Sequence, residues 1–233
     1  MIRVIRRILP GMVLVCGFSA GMGLAEEATF DVTMAGVRVA EMTMTGDVSG
    51  NSYDVRVMIR SDGLAGIVKR IRFQARSEGQ VASDFAPSRY TEQADTGRRQ
   101  SVVEITYERG VPQVMTYTSP RPDGPDLVDP ATQGGTLDPA TALFAGLRDL
   151  PAGQECNADI AVFDGRRRSV FALSGNGAVC TGDYRRIAGY TPAEMAERSS
   201  FPLEVVYVVE GEVMRVVEAS VQTLYGKVRL KRR

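Results

Sequence analysis

Segments in which apolar and polar side chains alternate recur along most of this chain of 233 residues. In the clearest of them, Tyr53–Ile59, every second residue is apolar, which is typical of a strand with one buried face. Similar segments follow at Ile71–Ala75, Val103–Tyr107 and Leu203–Val209. The connections between them are mostly too short for the crossovers that parallel strands need, so the pattern predicts an antiparallel sheet.

The segment Ile160–Pro192 is the centre of this pattern and is predicted to form three strands in succession. Asp164 and Gly165 stand between two apolar runs, and both residue types tolerate the positive φ of a two-residue hairpin turn. A second reversal is expected at Gly175–Gly177. We expect the rest of the chain to add further strands to this meander.

Two helices are predicted among the strands. Asp138 is expected to cap a helix that has Pro139 in its first turn. Thr191 and Glu194 have the spacing of a capping box and indicate the start of a second, shorter helix. With about a dozen strands and two short helices, the chain is predicted to be mainly β.

The alternation changes phase near Ala40–Glu41 and again past Gly226. A slip of one residue moves every later side chain to the opposite face, so each is interpreted as a β-bulge, and bulges bend a sheet. We therefore expect one curved antiparallel sheet, a half-open barrel, with the helices over its concave side or its mouth. The Pro-rich segment Ser119–Gly135 is interpreted as a connector, and a lid is the alternative.

The first 25 residues have the features of a signal peptide, with cleavage expected after Ala25. The mature chain is then a single β-rich domain, Glu26–Arg233. A lipid anchor on Cys16 is the alternative, and it is disfavoured because Val15 is not a small residue. The features are a basic start, a short apolar run and small residues before the cleavage site: Arg3–Arg7, Ile8–Ala20 and Gly23–Ala25.

Two cysteines remain after cleavage, Cys156 and Cys180, and an even number in an exported chain indicates one disulfide. The absence of His and of a Cys-x-x-Cys motif disfavours a metal or redox pair. In a flat meander the outer strands are about 9.5 Å apart, whereas a disulfide needs Cα atoms within about 7 Å. Cys156 is therefore expected in the loop Pro151–Asn157 and not in a strand.

The composition limits the chemistry that the chain can perform. There is no His for a catalytic triad, an imidazole base or a metal site, and there is no Gly-rich phosphate loop. The 28 basic and 28 acidic residues balance, and loss of the signal peptide leaves a small negative charge that suggests neither nucleic acid nor a membrane surface as partner. No catalytic residue, cofactor or metal is predicted.

Two features are candidate binding sites. One is a group of arginines around the predicted Asp164 turn and on the following strand, whose guanidinium groups suit a carboxylate or a phosphate. A solvated hairpin tip is the alternative. The other is the apolar concave face of the sheet, which either packs as plain core or holds an apolar ligand. The arginines of the first candidate site are Arg166, Arg167, Arg168, Arg185 and Arg186.

Several runs of residues carry a family resemblance: FDGRRR, YRRIAGYTPAEM, FPLEV and GKVRL, with the earlier LDPATALFAGL helix. Together they resemble the bacterial exported family named domain of unknown function 3108. The resemblance covers most of the mature chain and implies a curved antiparallel sheet in the periplasm, without an established activity. Such sheets are similar in outline to the periplasmic lipoprotein carriers, which hold acyl chains in an apolar half-barrel.

We therefore expect a non-enzymatic periplasmic protein that binds an apolar ligand, a lipid or an acyl chain, in a curved sheet. The alternative is a structural or assembly factor of the cell envelope that adds a sheet edge or a hairpin to a partner protein. No nucleic-acid partner is expected, nor a membrane span after cleavage. The oligomeric state is left open.

Overall fold

The computed structural model describes residues 24–61, 71–97, 100–118, 127–154, 156–175 and 177–233, so the predicted signal peptide up to residue 23 lies outside the described residues. Within these ranges no helix is long and apolar enough to cross a membrane. The helices are α1 (Pro139–Leu147) and α2 (Pro192–Glu197), with a 3-10 turn at Pro130–Thr132. The strands are β1 (Leu24–Met34), β2 (Val37–Ser49), β3 (Ser52–Ser61), β4 (Arg72–Val81), β5 (Phe85–Asp95), β6 (Gln100–Glu108), β7 (Val111–Thr118), β8 (Leu150–Pro151), β9 (Ala158–Phe163), β10 (Arg168–Ser174), β11 (Val179–Ala188), β12 (Ser200–Glu210), β13 (Val213–Thr223) and β14 (Gly226–Arg232).

All these strands belong to one antiparallel sheet, which confirms the predicted mainly β class. The order is β7-β6-β5-β4-β3-β2-β1-β14-β13-β12-β11-β10-β9, and the short β8 pairs with the start of β13. Most strands lie beside their neighbours in sequence. The exception is β14, which lies between β13 and β1 and pairs Leu230 with Val32. It joins the half of the sheet formed by β1–β7 to the half formed by β9–β13.

The sheet curves until its two ends touch. Its edge strands are β7 and β9, yet the guanidinium of Arg166, in the turn between β9 and β10, lies 5.0 Å over the ring of Tyr117 in β7. Backbone pairing between the two edge strands is absent among the described residues. The sheet is therefore the predicted half-open barrel.

Residues 119–126 of the predicted connector Ser119–Gly135 lie outside the described ranges. Beyond them, the Val128 amide donates to the carbonyl of Arg166 at 3.3 Å, beside β9 and β10. The Gly135 amide donates to the carbonyl of Gly110 at 3.0 Å, in the turn between β6 and β7. The connector thus contacts the turns at both ends of the sheet.

Helix α1 packs in the concave side of the first half of the sheet. Asp138 caps it as predicted, because its carboxylate accepts a hydrogen bond from the Thr141 amide at 2.9 Å. The buried ring of Phe144 meets the ring of Phe85 in β5 at a centroid distance of 5.8 Å. A Cβ at Gly46 of β2 would lie 2.1 Å from Cε2 of Phe144. Glycine at this position is therefore what lets the helix approach the strand so closely.

A buried polar cluster ties the start of α1 to β3 and β4. The Asp138 carboxylate accepts hydrogen bonds from the hydroxyls of Ser77 at 2.6 Å and Thr141 at 2.7 Å. The Tyr53 hydroxyl lies 3.0 Å from Oγ1 of Thr141. Burial raises the pKa of the Asp138 carboxyl above its ordinary value and raises the pKa of Tyr53 to about 12, because the charged form of each loses its hydration.

The turn after Phe163 is wider than the predicted two residues. Phe163 pairs with Arg168 and not with Arg166, so the turn contains four residues. The Asp164 carboxylate stabilises it by accepting hydrogen bonds from the amides of Arg166 at 2.9 Å and Arg167 at 2.7 Å. Side-chain capping of this kind competes with the tight two-residue geometry.

Of the two predicted bulges, one is confirmed and the other is wrong. The first is found one residue before the predicted Ala40–Glu41, at Val39, where the register between β1 and β2 shifts. The phase change past Gly226 is instead a hairpin, in which Thr223 pairs with Gly226 across two residues. Gly226 has a φ of 113°, which glycine adopts without a steric penalty.

Cys156 and Cys180 form the predicted disulfide, with Cα atoms 6.2 Å apart. Cys156 lies in the loop between β8 and β9, as expected, and Cys180 lies in β11. Both side chains are buried. The bridge ties the loop that follows α1 to the third strand of the central segment Ile160–Pro192.

Candidate ligand-binding cavity

A cavity of about 510 Å³ lies between helix α1 and the concave face of β9–β14. On the α1 side, the lining residues are Ala142, Leu143, Gly146 and Leu147, of which two are small. At Gly146 a Cβ would meet no atom within 4 Å, so open space remains beside the helix. The glycine at position 146 thus leaves room between the helix and this half of the sheet.

The floor of the cavity is apolar and is built from cross-strand neighbours. Side chains directly opposite each other in an antiparallel pair lie on the same face, so each set forms a row across the strands. Successive rows are two residues apart along each strand. The rows are Phe171–Tyr184–Phe201, then Leu173–Leu203–Val221–Val228 across Gly182, and then Val205–Ala219–Leu230 beside Cys180.

One end of the cavity is polar, beyond the row that contains Tyr184. Nη2 of Arg167 donates to Oε1 of Glu194 at 2.9 Å, and the Arg167 guanidinium lies 4.6 Å over the ring of Tyr190. The hydroxyls of Tyr184 and Tyr190 are 2.7 Å apart and share a hydrogen bond. Burial raises the pKa of Tyr190 above its ordinary value, so this hydroxyl keeps its proton. The end thus combines cations with neutral donors.

Arg186 is the second cation at this end. Its Nη1 donates to the main-chain carbonyls of Glu194 and Arg198, at the end of α2. Its guanidinium lies 5.2 Å from the ring centroid of Tyr190 and 4.9 Å from that of Phe201. Among the residues that the structure describes, none places a carboxylate within 4.0 Å of this guanidinium. Arg186 is thus held by carbonyl groups and aromatic rings, without an ion pair.

Asp164 also lines the polar end. Burial raises the pKa of its carboxyl, although hydrogen bonds from the amides of Arg166 and Arg167 and the charges of both side chains act in the opposite direction. Desolvation of the charged form is the largest effect. The carboxylate is thus held by the backbone of its own turn, beside the guanidinium groups of Arg166 and Arg167.

Two of the five predicted arginines, Arg167 and Arg186, line the cavity. They meet because β10 and β11 pair in register, with Ser169 opposite Arg186. The register shifts directly beside this pair, which leaves Ile187 as an extra residue in β11. Neither the pairing nor the shift follows from the local sequence of either strand.

The other three arginines lie elsewhere. Arg166 stacks on the ring in β7, and Nη1 of Arg168 donates to the side-chain oxygen of Gln133 at 3.3 Å. Arg185 projects to the opposite face of β11 from Arg186, where its Nε lies 3.4 Å from a carboxylate oxygen of Asp183. The five arginines thus do not form one surface.

The sequence reasoning did not select the tyrosines at the polar end. Tyr184 and Arg186 are two residues apart in a strand, so alternation alone places them on one face. The alternation could therefore have identified Tyr184 as a neighbour of Arg186. Tyr190 lies beyond the end of the strand, in the link to α2, and its position over Arg167 depends on the capping box at Thr191.

The fold and the cavity define the class: a half-open antiparallel barrel with a helix in its concave side and a largely apolar cavity beside the helix. A family model described as "Protein of unknown function (DUF3108)" matches residues 29–179. The match spans well over half of the chain, and the chain belongs to this family, as its residue runs predicted. The match includes FDGRRR and LDPATALFAGL but ends before YRRIAGYTPAEM. No curated protein and no solved structure matches the chain.

Proposed function

We propose that this protein is a non-enzymatic periplasmic binding protein for an apolar ligand, a lipid or an acyl chain, which occupies the cavity between α1 and β9–β14. The observation that supports the proposal is the cavity of about 510 Å³, lined mainly by aliphatic and aromatic side chains. Small-molecule sites commonly have volumes of about 300–1,000 Å³ with apolar walls and a few polar groups. A core without a ligand function would be packed closely.

The volume matches one hydrocarbon chain. A methylene group occupies about as much space as a water molecule, roughly 30 Å³, so the cavity accommodates about 17 such groups. A lipid with two acyl chains would leave one of them outside. Each buried methylene contributes about 0.8 kcal/mol before the cost of ordering the chain. Ten methylenes therefore supply a gross free energy near the roughly 8 kcal/mol of a micromolar complex.

Gly146 offers a direct test of occupancy. The phenyl ring introduced by Gly146→Phe would project into the open space beside α1 and fill part of the cavity, because a Cβ at this position meets no atom. We expect this variant to bind a neutral apolar probe, N-phenyl-1-naphthylamine, at least about tenfold more weakly, the free energy of two buried methylenes. The control is Gly146→Ala, which adds one methyl group, favours the helix and leaves the cavity open.

Fluorescence titration suits this test because the protein contains no Trp that would overlap with the probe. Unchanged binding in Gly146→Phe, or no binding by the wild type, would contradict the cavity as the ligand site. Native mass spectrometry of protein purified from its own cells is the independent measurement. A co-purifying lipid mass is expected. A bare mass accompanied by a protein partner would favour the assembly role.

The periplasmic location is supported by the first 25 residues, with their basic start and short apolar run. Cleavage after Ala25 would leave Glu26 as the first residue, within β1. The Glu26 carboxylate accepts a hydrogen bond from the Asp149 amide at 3.0 Å, so the shortened strand keeps a contact with the link after α1. N-terminal sequencing of the native protein should begin at Glu26. A start at Met1, or an acylated Cys16, would contradict the proposal.

A further inference from the structure

We propose that the ligand of this cavity is a single-chain amphiphile with an anionic head group, and that Arg186 binds the head group. This inference rests on the proposed function, because it assigns chemistry to a ligand in the same cavity. It is carried by the position of an arginine that has no carboxylate partner among the described residues, at one end of a largely apolar cavity.

One edge of the Arg186 guanidinium donates hydrogen bonds to the protein, and the other edge can donate to a ligand. Nη1 donates to the carbonyls that end α2, and the rings of Tyr190 and Phe201 pack near the group. In the part of the chain that the structure describes, no protein acceptor is bound to Nε or Nη2. These two nitrogens form the edge of the fork that binds a carboxylate or a phosphate with two parallel hydrogen bonds.

Among the described residues, no acidic side chain forms an ion pair that would balance the positive charge of Arg186. Glu194, whose main-chain carbonyl binds Arg186, already accepts from Nη2 of Arg167 and from the Thr191 amide through its two carboxylate oxygens. The Asp164 carboxylate accepts hydrogen bonds from the amides of Arg166 and Arg167 in its own turn. A partly desolvated cation without a counter-charge is unfavourable. An anionic head group would supply the missing charge, whereas a neutral or cationic one would not.

A neutral donor lies beside the arginine. The hydroxyls of Tyr184 and Tyr190 share one hydrogen bond, which uses only one of their two protons. The second proton is available to an acceptor in the cavity, which both side chains line. A head-group oxygen at this position would therefore receive a hydrogen bond from a tyrosine as well as from Arg186.

The apolar rows lead away from this polar end. The floor continues from Tyr184 to the row beside Cys180, four residues along β11 and roughly 13 Å. A single hydrocarbon chain can follow these rows with its head at Arg186. The carboxylate of a fatty acid and the phosphate of a single-chain phospholipid share the chemistry that this arrangement recognises.

The test compares ligands that share a twelve-carbon chain and differ in the head group. Displacement of N-phenyl-1-naphthylamine is measured for dodecanoate, dodecyl phosphate, dodecan-1-ol and dodecyltrimethylammonium. We expect wild-type protein to bind at least one of the two anions at least about tenfold more tightly than the alcohol, and the cation most weakly. The anion that binds more tightly distinguishes a carboxylate source from a phosphate source.

Variants of Arg186 test whether this residue binds the head group. Arg186→Gln should weaken binding of the preferred anion by about 10- to 100-fold, the range expected for a lost charge-assisted hydrogen bond, and leave the alcohol unchanged within about twofold. Arg186→Lys should recover part of the loss. The matched control is Arg185→Gln, on the same strand and the opposite face, which should bind the anion as the wild type does.

The outcomes separate the two proposals. If the wild type binds neither anion more tightly than the alcohol, this inference is wrong and the cavity proposal stands. If no member of the series binds, the cavity proposal fails and this inference fails with it. If Arg186→Gln loses affinity for anion and alcohol alike, or does not fold while Arg186→Lys shows no preference for anions, Arg186 acts only through the fold of α2.

Discussion

Replacement of Gly46 by Ala tests how α1 packs into the sheet. The added Cβ would lie 2.1 Å from Cε2 of Phe144, 2.3 Å from Cζ and 2.9 Å from Cδ2. Non-bonded carbon atoms are most stable about 3.5–4.0 Å apart, so the ring would have to move by about 1.4 Å or more. The ring is only 2% exposed and packs against Phe85, and it has little room for that movement.

The magnitude follows from two opposing effects. Forcing an extra carbon into a packed core costs about 1–3 kcal/mol. Alanine is otherwise preferred to glycine inside a strand by about 0.5–1 kcal/mol, and Gly46 has no positive φ that would penalise a side chain. We therefore expect Gly46→Ala to lower the free energy of unfolding by about 1–2 kcal/mol in the wild type.

The effect of Gly46→Ala on the free energy of unfolding should change sign when the ring of Phe144 is removed. Phe144→Ala alone is expected to cost about 3–5 kcal/mol, because it leaves a cavity. In that background the Cβ at position 46 has space, and Gly46→Ala should stabilise the protein by about 0.5–1 kcal/mol. The double-mutant cycle should thus give a favourable coupling free energy of about 1.5–3 kcal/mol.

Equilibrium unfolding in urea, followed by far-UV circular dichroism and tyrosine fluorescence, measures all four proteins. Equal slopes against urea concentration are needed for the comparison, because the slope reports the surface exposed on unfolding. The reasoning is refuted if Gly46→Ala has the same effect in both backgrounds within about 0.5 kcal/mol. The same conclusion follows if it stabilises the wild type.

Two further predictions concern buried groups. The raised pKa of Asp138 means that the folded protein holds this proton more tightly than the unfolded chain, so stability should fall as pH rises from the ordinary value of 3.8 through the raised pKa. Asp138→Asn should remove that part of the slope in urea unfolding at several pH values, and an unchanged slope would contradict the assignment. The bridge between Cys156 and Cys180 closes a loop with a sequence separation of 24, and replacing both by Ala should cost about 3.5 kcal/mol. Two free thiols in the unfolded, unreduced protein without its first 25 residues would disprove the disulfide.

The features that were predicted correctly depend on neighbours in sequence. Asp138 and Thr191 cap their helices because the amide that each binds is only three residues away. The position of Cys156 in a loop follows from the spacing of strands and the length of a disulfide. Alternation predicted the strands, because in most of them one face is more buried than the other.

The features that could not be predicted depend on long-range pairing or on competition between similar local structures. The two turn residues before Gly226, Leu224 and Tyr225, are not the Asn-Gly or Asp-Gly pair typical of a two-residue hairpin, so the change of phase there was interpreted as a bulge. The turn at Asp164 has the residues of a two-residue hairpin, but its carboxylate binds two amides further on and widens it. The cavity depends on Gly146, and a glycine near a helix end is normally interpreted as a stop signal.

The position of β14 between β13 and β1 affects how soon after its synthesis β1 can be paired on both edges. Asp31 in β1 meets Arg233 across a sequence separation of 202 residues. At synthesis rates of about 5–20 residues per second, the second neighbour of β1 is made roughly 10–40 s after β1 itself. Until β14 is made, the edge of β1 that faces away from β2 has no partner strand. An unpaired edge presents open amides and carbonyls with which another chain can pair.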